Sequence, residues 1–325
     1  MSQITIIGLG LIGTSIGLGL KALDGDFSIL GHDRDHGAMQ RAAKMGAVDK
    51  THWNLIAAIE EADMIILAIP IDGVAPTFEA IKQDLKQGCL IMDTAPLKRP
   101  VQRAAAEHLP DHVHFIGSNP ILPHGEELTP EEASPDLFRE ALWALCPTRD
   151  ARANAVNIVT NLVQSLGASP YFLSPEEHDG LAAAAVSLPT LMAGALMHAV
   201  SAHASWREIR KMAGGQFARA TALPNFNAEA LAAMVFDNRD NVLLWIETMM
   251  AELEGWRGAL QEEDKAVLDK WFEDAQTRRA QWLKLQETGD WEESGRTPIE
   301  PSGFFSRMLG LGGFSRKKAK AGRHD

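Results

Sequence analysis

Short apolar runs alternate with amphipathic stretches through the first half of the chain. Strands are predicted at residues 4–7, 27–31, 64–69, 89–93, 113–117, 141–146 and 170–173. Helical spacing lies between them at about 10–20, 37–44, 77–85, 97–108 and 151–166. Continuous apolar runs are typical of strands that are buried on both faces of a parallel sheet. The alternation predicts an α/β domain with a doubly wound parallel sheet over residues 1–173.

After residue 173 the pattern changes to helices alone. Ser174, Pro175 and Glu177 form the start of a helix, as N-cap, N1 and N3 residues. A long apolar helix over residues 181–204 follows, with a kink expected at Pro189, and further helices are predicted at about 206–213, 228–256 and 265–286. Because such an apolar helix needs a covering surface, we expect an all-α dimerisation domain over 174–290 and a homodimer.

The last segment, residues 291–325, combines aromatic and basic side chains. Its final 25 residues hold six lysines and arginines against one acid, Asp325. This composition predicts a flexible tail that aids solubility. The alternative is a weak contact with an anionic membrane or a partner protein.

Composition narrows the class of protein. The net charge of −12 argues against a nucleic-acid binder. The two cysteines, Cys89 and Cys146, lie in apolar runs and are expected to be buried reduced thiols, which fits a cytoplasmic protein. No signal peptide, membrane span or metal-ligand spacing is predicted.

The first strand runs directly into a glycine motif, Gly8-x-Gly10-x-x-Gly13. Gly8 permits the tight turn, Gly10 lets a pyrophosphate approach the backbone, and Gly13 lets the helix pack close to the strand. The helix that begins near Leu11 and Ile12 offers unpaired N–H groups and a positive dipole end to the phosphates. The motif therefore predicts a dinucleotide site.

The end of the second predicted strand supports this site. Asp33 lies twenty residues after Gly13, where a carboxylate would accept hydrogen bonds from the adenosine ribose. A carboxylate favours NAD, whereas the neighbouring Arg34 leaves NADP as an alternative. Ala68, Pro70 and Thr94 follow later strands and are further candidates for cofactor contacts.

Together these segments resemble the prephenate/arogenate dehydrogenase family over about residues 3–285. The resemblance is carried by residues 8–17, 93–98, 115–121, 177–179 and 238–239. It implies a Rossmann-type domain, a helical dimerisation domain and an NAD(P)-dependent oxidoreductase that performs an oxidative decarboxylation in tyrosine biosynthesis. In that reaction a hydride leaves the ring carbon that bears the hydroxyl, and loss of a carboxylate restores aromaticity.

The departures from the family pattern fall at its chemistry. Asn119 stands where the family has the histidine that accepts the hydroxyl proton, and an amide cannot accept it. Ser187 and Thr190 replace two further histidines of the family. Ala222 replaces an arginine that meets a substrate carboxylate, which removes a bidentate clamp.

Other residues are candidates to compensate. His124 and Lys98 are candidate proton acceptors beside Asn119, with Lys98 also a candidate carboxylate ligand. Arg219 would share a helix face with Ala222 if that turn is helical. Ser118, Ser187 and Thr190 complete the predicted substrate-binding set. The alternative for His124 is a solvated loop histidine. The alternative for Lys98 and Arg219 is a surface charge.

Three hypotheses remain open at this point. The first is a dehydrogenase of the prephenate/arogenate class with a relocated proton acceptor. The second is a sister dehydrogenase for a different small carboxylate substrate. The third is an NAD-binding dimer without turnover, in which the cofactor half persists and the catalytic half has decayed.

Overall fold

The computed structural model describes residues 2–23, 25–122, 128–224 and 227–289. The chain forms two compact units. Within the described residues, the first comprises 2–179 and 227–234, and the second comprises 180–224 and 235–289. The predicted tail, residues 291–325, lies outside the described residues.

The first unit is built on one eight-stranded sheet in the order β3-β2-β1-β4-β5-β6-β7-β8. The strands are β1 Ser2–Ile7, β2 Phe27–His32, β3 Lys50–Thr51, β4 Met64–Leu67, β5 Leu90–Asp93, β6 His114–Ile121, β7 Leu142–Cys146 and β8 Ser169–Phe172. The chain leaves β1 toward β2 on one side and resumes at β4 on the other. The strand order therefore reverses beside β1, and this is where a doubly wound sheet opens a crevice.

The doubly wound parallel sheet is as predicted, except that one pair of strands is antiparallel. β7 runs antiparallel to β6, while β8 is again parallel to β7. A parallel partner needs a crossover of a dozen or more residues, usually a helix. The described part of the connection between β6 and β7 holds only a 3-10 turn at Pro130–Glu132. β3 escaped prediction because its two residues are polar and form no apolar run.

The helices of the first unit pack on both faces of this sheet. They are α1 Leu11–Lys21, α2 His36–Lys44, α3 Leu55–Ile59, α4 Val74–Ile81, α5 Arg99–His108, α6 Ala153–Ser165 and the start of α7, Pro175–Ala182. Ile6, Ile66 and Trp143 lie in the core and have no exposed surface. The two cysteines are buried and unpaired, as predicted, and burial raises the pKa of Cys89 and of Cys146 to about 12.

The second unit is helical, as predicted. A π-turn, Ala183–Ser187, precedes α8 Leu188–Ser201, α9 Trp206–Met212 and α10 Gly215–Ala220. Most of α11, Ala228–Phe236, belongs to the first unit, and the second unit continues with α12 Arg239–Gln261 and α13 Lys265–Thr288. The π-turn ends two residues before Pro189, which supplies no N–H to the preceding turn. The kink expected at Pro189 stays a prediction. The single helix predicted over 228–256 is two helices, because Asp237 and Asn238 favour turns over helix interior.

Apolar side chains remain uncovered on the second unit. Leu181, Leu196 and Met197 of the helix that was predicted to be buried are exposed within a single chain. On α12, one face carries exposed Leu243, Met250, Leu253 and Leu260, which we call the α12 stripe. The segment Pro175–Ser201 is long and apolar enough to cross a membrane by length and composition, a test that core helices of other proteins also pass.

Candidate active site

The loop between β1 and α1 has the geometry that the glycine motif predicts. Gly8 adopts φ +94°, and a Cβ there would lie 2.2 Å from the carbonyl oxygen of Ala68. A Cβ on Gly13 would lie 1.9 Å from the carbonyl oxygen of Gly8. Any side chain at either position would force the backbone apart. The loop can therefore pack closely against the end of β4 and the start of α1 only because Gly8 and Gly13 have no side chains.

Gly10 is different, because a Cβ there would meet no atom within 4 Å. The first hydrogen bond of α1 runs from the N–H of Thr14 to the carbonyl of Gly10 at 3.0 Å. The N–H groups of Leu11, Ile12 and Gly13 precede this bond and have no acceptor within the helix. The open space over Gly10 and these donors fit a pyrophosphate at the helix N-terminus.

Asp33 is held at the end of β2 by the same loop. Its Oδ2 accepts a hydrogen bond from the N–H of Leu9 at 2.7 Å, and its Oδ1 accepts from the N–H of Asp35 at 2.8 Å. Each carboxylate oxygen keeps a second lone pair. The carboxylate is therefore fixed and still able to accept from ribose hydroxyls, while Arg34 lies exposed beside it.

The other predicted cofactor contacts follow the carboxyl ends of neighbouring strands. The N–H of Ala68 donates to the carbonyl oxygen of Ile7 at 2.8 Å, and the N–H of Thr94 donates to the carbonyl oxygen of Leu67 at 2.9 Å. These bonds extend the ladders between β1, β4 and β5 to one common edge. Pro70 lies exposed just beyond β4. The glycine loop, Asp33 and this edge together fit a dinucleotide.

A buried ion pair lies under the same edge. Lys98 and Asp93 have no exposed side-chain surface, and Lys98 Nζ donates to Asp93 Oδ2. Lys98 Nζ also donates to the carbonyl of Ser118 at 2.6 Å. Asp93 accepts further from the N–H of Ser118 at 2.9 Å and from the N–H of Ala95 at 3.0 Å. The pair ties the end of β5 to β6.

This environment changes the roles predicted for Lys98 and Ser118. The Lys98 ammonium is neutralised by Asp93 and is enclosed, which favours a structural ion pair over a base or a carboxylate ligand. The Ser118 hydroxyl donates to the carbonyl of Asp93 and accepts from Trp143 Nε1 at 3.0 Å. Its side chain is fully buried, so the geometry does not favour the predicted substrate contact.

Asn119, the next residue on β6, begins a second chain of hydrogen bonds. Asn119 Nδ2 lies 3.2 Å from His178 Nε2. His178 Nδ1 lies 2.9 Å from Asp179 Oδ1. His178 is 4% exposed and Asp179 is fully buried, whereas Asn119 is half-buried. A histidine backed by a carboxylate therefore stands directly behind the amide.

Asp179 is an anion held by several donors. Burial would raise its pKa, but hydrogen bonds from His178 and from the backbone N–H groups of Lys98 and Arg99 outweigh burial and lower the pKa. Those N–H groups lie 2.7 Å and 2.9 Å from its carboxylate oxygens. The carboxylate thus fixes the orientation of His178 and joins α7 to the start of α5.

In the sequence, His178 matches the family pattern at a helix start, and nothing there assigns it a catalytic role. The helix start itself is as predicted, since the N–H of Glu177 donates to Ser174 Oγ at 3.2 Å and Glu177 Oε2 accepts from the N–H of Ser174 at 2.9 Å. This capping box fixes the first turn of α7. The adjacency of His178 and Asp179 was the available signal, but their proximity to Asn119 depends on the tertiary fold.

The remaining predicted substrate residues belong to the second unit. Ser187 is fully buried in the π-turn, and its hydroxyl has no hydrogen-bond partner among the described residues. Thr190 donates to the carbonyl of Val186 at 2.8 Å. Arg219 is exposed, and α10 ends at Ala220, so the helix face that Arg219 was expected to share with Ala222 is not formed.

Two further expectations concern the candidate base His124 and a metal site. His124, the other candidate proton acceptor, lies outside the described residues. Among residues 2–23, 25–122, 128–224 and 227–289, no group of three or more metal-ligating side chains is found.

Comparison with known proteins places this geometry in a family. The family model described as "Prephenate dehydrogenase, nucleotide-binding domain" matches residues 16–172. The model described as "Prephenate dehydrogenase, dimerization domain" matches residues 174–274. The prephenate dehydrogenase of Lactococcus lactis subsp. cremoris is 30% identical over 285 residues, which cover 86% of this chain and 77% of that protein.

Two other similar proteins agree. The cyclohexadienyl dehydrogenase of Zymomonas mobilis is 27% identical over 279 residues, which cover 85% of this chain and 94% of that protein. The crystal structure of prephenate dehydrogenase from A. aeolicus, in complex with hydroxyphenyl propionate and NAD+, has the same fold. Its TM-score is 0.78 at 21% identity, covering 86% of this chain and 98% of that one.

The predicted fold class, a Rossmann-type domain followed by a helical dimerisation domain, is confirmed. The resemblance inferred from the motifs is confirmed as well, since the two family models together span most of the chain. The chain belongs to the prephenate dehydrogenase family of NAD-dependent oxidoreductases.

Proposed function

We propose that the protein is an NAD-dependent dehydrogenase that oxidatively decarboxylates prephenate or arogenate. The observation that carries this proposal is the glycine loop, with open space over Gly10 and N–H groups that have no acceptor within α1, in a chain that matches both domains of the family. Bound NAD would supply the hydride acceptor. The preference for NAD over NADP rests on Asp33, whose carboxylate would repel a 2′-phosphate.

The polar groups of this chain suit a substrate with a ring hydroxyl and carboxylates. Asn119 offers an amide that can orient the hydroxyl. Among the described residues, the buried hydroxyl of Ser187 has no hydrogen-bond partner, and it lies in a π-turn, a feature that frequently occurs at functional sites. Thr190 is buried three residues after Ser187, and its hydroxyl oxygen can still accept a hydrogen bond. Arg219 supplies an exposed cation. Asn119, Ser187 and Thr190 stand at the positions of three family histidines that this chain lacks.

The proposal is tested by the formation of reduced nicotinamide with purified protein, NAD or NADP, and prephenate or arogenate in turn. We expect turnover with at least one of the two acids and a higher kcat/KM with NAD than with NADP. Tight NAD binding without turnover on either acid would contradict the proposed reaction. A panel of small carboxylic acids would then separate the sister dehydrogenase from the non-catalytic dimer.

We further propose that the second unit forms a homodimer through its uncovered apolar side chains. Leu243, Met250, Leu253 and Leu260 recur at intervals of seven, three and seven residues, which places them on one face of α12. A second copy of the chain would cover this face, in agreement with the dimerization-domain match. The same reasoning applies to the exposed apolar residues of Pro175–Ser201, which we assign to contact within the dimer.

Replacing Met250 by Glu in the α12 stripe is expected to weaken the dimer. The side chain is 64% exposed in the single chain, and burial of an unpaired carboxylate in an apolar interface costs several kcal/mol. Sedimentation velocity should therefore show monomer at concentrations where the unmodified chain is a dimer.

Thr248→Glu is the matched control. It adds the same charge to an exposed position of the same helix, but away from the stripe. Equal dissociation by Thr248→Glu, or an intact dimer with Met250→Glu, would contradict the assignment of the stripe to the interface.

The two buried reduced cysteines and the family match lead us to expect that the protein acts in the cytoplasm. The basic tail has no role in this proposal.

A further inference from the structure

The chain of hydrogen bonds behind Asn119 has the arrangement of a general base. Asp179 is an acceptor only, because it is held as an anion by the backbone N–H groups of Lys98 and Arg99. His178 Nδ1, at 2.9 Å from Asp179, must therefore carry a proton. The lone pair of the neutral imidazole is then on Nε2, which points at Asn119.

The contact on Nε2 is one that a substrate can replace. Asn119 Nδ2 is a neutral donor at 3.2 Å from Nε2, on a side chain that is only half-buried. A substrate hydroxyl is also a neutral donor and can take the same lone pair when the amide rotates. The amide N–H of Asn119 could then donate to the hydroxyl oxygen and orient it.

Resting on the proposed function, we infer that His178 is the catalytic base of this chain, with Asn119 and Asp179 as positioning residues. The substrate hydroxyl gives its proton to His178 Nε2 as the carbon–hydrogen bond breaks and its electron pair leaves as hydride to the nicotinamide oxidant. A ring carbonyl forms. The bond to the carboxylate then breaks, CO₂ leaves, and the electron pair of that bond completes the aromatic ring. The resulting phenolate takes the proton back from His178.

Asp179 supports this step in two ways. It holds the imidazole in the tautomer whose Nε2 is free to accept. Its charge also offsets the positive charge while the proton is on the ring, although it shares that charge with the Arg99 guanidinium, whose Nε lies 3.3 Å from Asp179 Oδ2. Its own position is rigid, since it is fully buried and bound to the N-terminal turn of α5. The base is therefore oriented by the first unit alone, with contributions from β6, α5 and α7.

The test is His178→Gln, assayed with the acid that the unmodified enzyme turns over. We expect kcat to fall by about 10²–10⁴-fold, the usual contribution of a general base, with KM changed by less than about threefold. Because a general base must be unprotonated to act, kcat/KM of the unmodified enzyme is expected to fall toward acid pH, and this fall, the acid limb, should be absent from His178→Gln. Asn119→His in the His178→Gln background should recover part of kcat, because it puts an imidazole beside the same hydroxyl.

Two further variants separate a base from a structural histidine. His108→Gln is the matched control, since His108 Nδ1 also pairs with a carboxylate, Glu79 at 2.8 Å, but on the far end of α5. It should leave kcat and the pH profile unchanged. His124→Ala should also leave the acid limb in place. Loss of that limb with His124→Ala instead of His178→Gln would overturn the inference.

The outcomes remain distinguishable from failure of the proposed function. No turnover by the unmodified chain contradicts the proposed reaction before His178 is tested. Turnover that survives His178→Gln within about threefold overturns the role of His178 and leaves the reaction standing. If His178→Gln does not fold or bind NAD, His124→Ala decides. Persistence of the acid limb in that variant supports His178 by removing the rival base, and loss of the limb would overturn the inference.

Discussion

Replacing Lys98 by Met is expected to destabilise the protein by about 3–5 kcal/mol, the cost of breaking a buried ion pair by removing one partner. The side chains of Lys98 and Asp93 are completely enclosed. Methionine fills a similar volume but leaves the Asp93 carboxylate without its counter-charge, and it leaves the carbonyl of Ser118 without the donor at 2.6 Å. Urea unfolding would show a large shift of the midpoint.

Lys86→Met is the matched control, because it removes the same ammonium from a pair at the surface. Lys86 Nζ lies 2.7 Å from Asp63 Oδ1, but the two side chains are 40% and 30% exposed. Such a pair contributes about 0–1 kcal/mol. The result would contradict our account if Lys98→Met cost no more stability than Lys86→Met.

The second large effect concerns cofactor affinity. Gly10→Ala is expected to raise the Kd for NAD at least about 30-fold, which corresponds to about 2 kcal/mol. The reason is that the new methyl group enters the open space where the pyrophosphate would lie. The fold should be retained, since φ of −75° suits alanine and no protein atom lies within 4 Å of the added carbon. Isothermal titration calorimetry with NAD measures the affinity, and a urea curve measures the stability.

Gly13→Ala should lose both properties. Its Cβ would lie 1.9 Å from the carbonyl oxygen of Gly8, and overpacking of this kind costs about 1–3 kcal/mol or more. Gly258→Ala, an open glycine within α12, is the control and should leave NAD affinity unchanged. If Gly10→Ala bound NAD as tightly as the unmodified chain, the loop would not be the pyrophosphate site.

The sequence predicted the parts of the fold that depend on local patterns. Apolar runs such as Met64–Leu67 revealed the buried strands, and the capping residues Ser174 and Glu177 placed the start of α7 correctly. The reversed strand β7 was not predictable in this way, because an antiparallel and a parallel strand have the same apolar pattern when both faces are buried. Its direction depends on the connection that precedes it.

The candidate site also has a part that local sequence predicts and a part that only the tertiary fold brings together. The glycine loop is contiguous in sequence, so spacing alone located it. The group around Asn119 is not contiguous: His178 lies 59 positions away and Asp179 meets the N–H of Lys98 across 81 positions. Burial decided the roles as well. From the sequence, Lys98 is predicted to be a proton acceptor, a carboxylate ligand or a surface charge. The structure shows that it is buried in an ion pair with Asp93.

The bond between Asp179 and the N-terminal turn of α5 also has a consequence for the order of synthesis. The amides of Lys98 and Arg99 are made long before their acceptor, and within the part of the chain that the structure describes no residue of the sheet lies beyond Phe172. A nascent chain that has emerged only as far as residue 173 holds all eight strands of this sheet, yet it lacks the carboxylate that binds the N-terminal turn of α5. The nucleotide-binding half therefore completes its edge only when the first turn of the helical half has left the ribosome, and the two halves are not interchangeable modules cut at the last strand.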